Sequence, residues 1–79
     1  MSNLTTYKTL ATQTIISKGN TISIKLIESS LKWSETKPEH VKKYYSIEIN
    51  GEHFGGYQVS KNEVNWYLEQ YTDNKKLEI

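Results

Sequence analysis

The stretch VKKYYSIEINGEHFGGYQV, residues 41–59, decides how this chain folds. Val41, Tyr45, Ile47 and Ile49 fall on one parity and Lys42, Tyr44, Ser46 and Glu48 on the other, the alternation of a strand with one buried face. Lys43 interrupts the apolar side near its outer end, where a long stem can carry the amine to water. Asn50-Gly51 follows directly. Asn-Gly between alternating runs is the strongest short-range hairpin signal, because both residues tolerate the positive φ of a type I′ turn. The returning strand, residues 52–59, carries Phe54, Tyr57 and Val59 around Gly55-Gly56, where missing side chains imply a bulge or a close backbone approach.

Working outward from this hairpin, the next segment on the C-terminal side is a helix with a full start signal. Ser60 and Glu63 form S-x-x-E, and Val59 and Val64 are spaced as a hydrophobic staple, so the helix starts at Lys61. Val64, Tyr67, Leu68 and Tyr71 make its apolar face, and Trp66 lies on the opposite side of the wheel. On the N-terminal side, residues 34–40, SETKPEH, read as a loop. Before it, Ile22, Ile24 and Leu26 alternate with Thr21, Ser23 and Lys25. Beyond Leu26 the parity flips to Ile27, Leu31 and Trp33, which suggests a bulge or a strand bending past the core. Gly19-Asn20 is the expected turn back to a first strand, residues 7–18, rich in Thr and Ile.

These elements specify an α+β domain: a four-stranded antiparallel meander with one C-terminal amphipathic helix packed on one face and the other face open. Ile22, Ile24, Leu26, Val41, Tyr45, Ile47 and Ile49 should line the covered side, beneath Val64, Leu68 and Tyr71. Residues 1–79 read as a single domain with an ordered core of about 7–72, the two ends being expected to fray.

Composition excludes much of chemistry. At 79 residues the chain has no volume for a deep, water-excluded substrate chamber. Ten Lys and no Arg, set against eight Glu and one Asp, give a net charge of +1, which suits neither a DNA mimic nor a strongly basic polyanion binder. With no Cys there is no disulfide, thiolate chemistry or Cys-based zinc site. The apolar runs are too short for a membrane span and no signal-peptide pattern is present, so a soluble, cytoplasmic domain is expected. His40 and His53 adjoin no nucleophile turn, no HxxE or DxD pattern and no phosphate-binding glycine loop. The reading is that the chain is not an enzyme and carries no cofactor or metal.

Binding is left as the function. Trp66, Trp33, Tyr44, Lys42 and Tyr57 are the candidate partner-contact residues, since aromatic side chains bury a large apolar area at low entropic cost. The alternative is a single-stranded nucleic acid on the open face, with Tyr44, Tyr57 and Trp33 as stacking platforms beside Lys25, Lys42 and Lys43. Against it stand Glu28, Glu48 and Glu52 on the same strands and the lack of an RNP-like motif. A homodimer through an exposed strand is also compatible with the pattern.

The hairpins at Gly19-Asn20 and Asn50-Gly51 and the terminal SKNEVNWYL helix give the chain a resemblance, in architecture alone, to the small inhibitor proteins of bacteriophages and other mobile elements, the anti-CRISPR proteins among them. That resemblance implies a non-catalytic protein that sterically occupies a working surface of a larger host complex. No family residue transfers to a position here, and the near-zero charge departs from the members that imitate DNA.

Overall fold

Strand segments joined by two-residue turns at Lys18-Gly19 and Asn50-Gly51, and by residues 33–39 between the two hairpins, pair in sequence order. The result, in a computed structural model that describes residues 4–32, 36, 38–73 and 76–79, is an antiparallel sheet followed by one helix. Strands β1 (Leu4–Ser17), β2 (Asn20–Lys32), β3 (His40–Ile49) and β4 (Glu52–Val59) lie in the order β1-β2-β3-β4, and α1 spans Lys61–Tyr71. Fourteen residues of strand at about 3.3 Å each account for a molecule 50 Å long and 19 Å wide. Its radius of gyration is 15.0 Å, against about 12 Å for a rounded domain of this length.

The core occupies one end. Ile15, Ile22, Ile24, Ile47, Ile49 and Val59 of the sheet are buried against Val64 and Leu68 of α1. Val41, expected among them, is 52% exposed, because β3 runs out from beneath the helix before reaching it. The helix starts as its sequence dictates, with the Ser60 hydroxyl accepting from the Glu63 amide at 3.2 Å. At its other end the Thr72 amide and hydroxyl both donate to the Leu68 carbonyl.

Two asparagines tie this end together. Asn50 (φ 53) and Gly51 (φ 86) form the expected turn. Asn50 Oδ1 accepts from the Thr21 amide at 2.9 Å, Asn50 Nδ2 donates to Asn20 Oδ1 at 3.0 Å, and Asn20 Nδ2 donates to the Tyr71 carbonyl at 3.2 Å. Both hairpin turns and the helix C-terminus therefore share one polar chain. It also corrects the first turn: Lys18 (φ 53) and Gly19 (φ 76) make it, and Asn20 belongs to β2, where its amide is free to serve as this link.

β2 pairs with β3 without interruption from Ile22 to Leu31, so the change of parity at Ile27 marks no bulge but a strand that runs on past the core, the other of the two readings. Two further differences from the sequence reading have physical causes. The bulge is in β1, where Leu10 stands unmatched between Thr9 and Ala11, a position that its irregular apolar spacing did not mark. Residues 73–79 are expected to fray, yet Leu77 and Ile79 pack on the core. Gln13 grips this tail with both ends of its amide, donating to the Lys76 carbonyl at 3.2 Å and accepting from the Glu78 amide at 2.8 Å. Tyr45 donates to the Ile79 carbonyl at 2.8 Å, and Lys18 pairs with Asp73 at 3.3 Å. Tail and helix thus lie side by side as the cover of the core.

The Gly55-Gly56 bulge is present. Phe54 pairs with Ile47 and Val59 with Tyr45, so Ser46 faces a four-residue excursion of β4. Gly55 has φ +75, and a Cβ there would lie 2.8 Å from Val59 Cγ2. Gly55→Ala is expected to lower stability by about 1–3 kcal/mol, seen as a reduced urea midpoint. Deleting residues 76–79 should lower it by about 1–3 kcal/mol through the loss of Leu77 and Ile79, with the same measurement deciding.

Candidate functional site: an uncovered aromatic sheet face

The change of parity in β2 moves the apolar side chains from one face of a continuous sheet to the other. Ile22 and Ile24 lie under the helix and tail, whereas Ile27 and Leu31 lie on the opposite, uncovered face. The pairing register sets Ile27 beside Tyr44 and Leu31 beside His40, and Tyr7 joins them across Ser29. β4 contributes His53 and Tyr57, whose rings stack with centroids 6.0 Å apart. His53 Nε2 lies 3.1 Å from the Gly56 carbonyl, which accepts, so that nitrogen carries a proton. These side chains, with Lys42, border a shallow groove of about 520 Å³ across the width of the sheet.

The groove is apolar and weakly basic. Among the described residues Lys42, His40 and His53 line it and no carboxylate does. Glu48 shares the face but stands toward the core end, and Glu28 and Glu52 lie on the other face, opposite Lys43 and Ile49. Burial, and then the neighbouring Tyr7 phenol, hold the Tyr44 hydroxyl above the ordinary phenol value. The Tyr44 ring is half-buried among its neighbours, while Tyr7 and Tyr57 are 68% and 90% exposed.

The structure brings together three of the five residues singled out from the sequence: Tyr44, Lys42 and Tyr57. Trp66 is 55% exposed, but it sits on the helix, across the sheet from the groove, with its ring edge-on to Tyr67 at 5.1 Å. Trp33 lies outside the described residues. Sequence reasoning missed Tyr7, Ile27, Leu31, His40 and His53 as members of one surface. The parity change at Ile27 was the available signal, and it acquires this meaning only once the β2–β3 register is known.

Among the described residues no three His, Cys, Asp or Glu side chains gather as metal ligands, and no helix is long and apolar enough to cross a membrane. Comparison of the chain with protein-family models, curated protein sequences and solved structures finds no match.

The elevated Tyr44 value has a definite consequence for pH. The fold favours the neutral phenol, so this contribution to stability is complete below the unfolded value near pH 10 and is lost as pH rises through the folded value. Tyr44→Phe should remove that part of the alkaline loss of stability, read from urea unfolding at successive pH values. It should also delete a late-titrating component from the ultraviolet phenolate titration.

Proposed function

We propose that this chain is a non-catalytic protein-binding domain whose contact surface is the open sheet face around Tyr44. The observation that supports the reading is the apolar crossover at Ile27. Ile27, Leu31, Tyr44, Tyr7 and Tyr57 line a face that neither helix nor tail reaches. Cross-strand pairs such as Ile27 and Tyr44 contribute to the sheet itself, and the gathering of five such side chains on one uncovered face supplies residue types that dominate interface energetics. Binding through such a surface acts by occupying space, which is the mode implied by the resemblance to mobile-element inhibitors.

A single-stranded nucleic acid is the second reading, favoured by one specific feature: three Tyr rings and Lys42 share a groove that, among the described residues, no carboxylate lines. Salt dependence separates the two. Immobilised chain should retain its protein partner from a cell lysate after nuclease treatment, and retention should change little between about 50 and 200 mM salt, where phosphate-driven binding weakens by orders of magnitude. Tyr44→Ala and Leu31→Ser should each reduce retention by about tenfold or more, as expected for central interface residues. Retention that disappears with nuclease, or that survives both substitutions, overturns the proposal.

A further inference from the structure

We infer that the occupant of the open face is a second copy of this chain, stacked face to face with its strands antiparallel. The inference rests on the proposed role of that face and names what covers it in the free chain, a copy that a protein partner displaces. Its starting point is the distribution of charge along β3. Lys42 and Glu48 stand on the open face, three residues to either side of Tyr45, and both are exposed. Among the described residues neither has an ion-pair partner. A two-fold axis crossing the strands at the level of Tyr45 sets Lys42 against the partner's Glu48 and Glu48 against the partner's Lys42. The groove by itself is basic on basic, and this offset supplies two complementary charge pairs, the two Lys25 amines being the like charges that remain near the axis.

The same axis matches apolar surface. Tyr7 and Leu31 lie on the uncovered half of the face, and Ile16, 77% exposed, lies on the half that backs the core. Turning one copy over brings the partner's Ile16 to the Tyr7 and Leu31 end of the groove. Tyr57, 90% exposed in the β4 excursion beside Ser46, falls next to the axis, where the two rings meet. Lys25, level with Ser46, lies over the partner's Ile27, against which its four-carbon stem packs.

Shape and edges agree with stacking. A face of 50 × 19 Å offers about 900 Å² per copy, and a stable interface takes about 800 Å² from each partner. Every sheet edge carries a device that discourages edge-to-edge pairing: Lys8 and the Leu10 bulge in β1, the Gly55 excursion in β4, and Lys42 and Lys43 on the stretch of β3, His40–Tyr44, that β4 does not reach. Face-to-face packing at about 10 Å remains, and it leaves both Trp66 rings outward.

The test is the mass of the purified chain in solution by analytical ultracentrifugation from about 1 µM to 1 mM, with circular dichroism confirming that each variant is folded. Wild type should reach twice 9.2 kDa. Lys42→Glu and Glu48→Lys should each weaken the dimer by about tenfold or more, and the double variant should recover most of the loss. A monomer throughout overturns the inference, as does a dimer indifferent to both single variants, a double variant no better than the singles, or a mass increase that nuclease abolishes. A monomer whose Tyr44→Ala variant still loses partner retention sinks the second copy and leaves the open face standing. Retention that survives Tyr44→Ala sinks the face itself.

Discussion

Burial of Ile22, Ile24, Ile47 and Ile49 beneath Val64 and Leu68 is the constraint on which the rest of the molecule depends, and the reach of an eleven-residue helix limits it. At about 1.5 Å per residue such a helix covers some 16 Å of a sheet three times as long. The remaining strands must therefore extend beyond the core. What keeps them paired is continuity of the ladder, since β2 and β3 run in register from the covered end to the uncovered one.

The uncovered half has a composition that follows from this geometry. On the side shared with the helix, the row Lys8, Glu28 and Lys43 is charged and alternates in sign across three strands, a pattern suited to water. On the other side, Ile27, Tyr44, Tyr7 and Leu31 gather into one surface. A single continuous sheet thus has its apolar layer on opposite faces at its two ends. One end solves its burial problem within the chain, with Gln13, Tyr45 and Asn20 locking tail and helix in place. The other end leaves its apolar layer uncovered, which is why the functional reading centres on that face and not on the exposed indole of Trp66.

Much of the fold was legible from local chemistry. The S-x-x-E start of α1, the Asn50-Gly51 turn and the β3 alternation each depend on residues within a few positions of one another, and the structure reproduces all three. The first turn was misplaced by one residue because both Lys18 and Asn20 can flank a turn glycine. What Asn20 does instead is bond Tyr71, 51 residues away, a partner that no local pattern marks. The tail was misread for the same reason, since Leu77 and Ile79 are too few to show periodicity and gain their place from Gln13 and Tyr45.

The candidate site divides along the same line. By itself the sequence determined the elements, their order and the fact that apolar residues change parity at Ile27, because strand alternation and helix capping act over one to four residues. Only the tertiary structure decided what that change means. The cover of helix and tail ends near Tyr45, and the register then sets Tyr7, Ile27, Leu31, Tyr44 and Tyr57 side by side from four different strands. Proximity across strands is a property of register and of which face a helix occupies, and both are fixed by long-range packing that no short stretch of sequence contains.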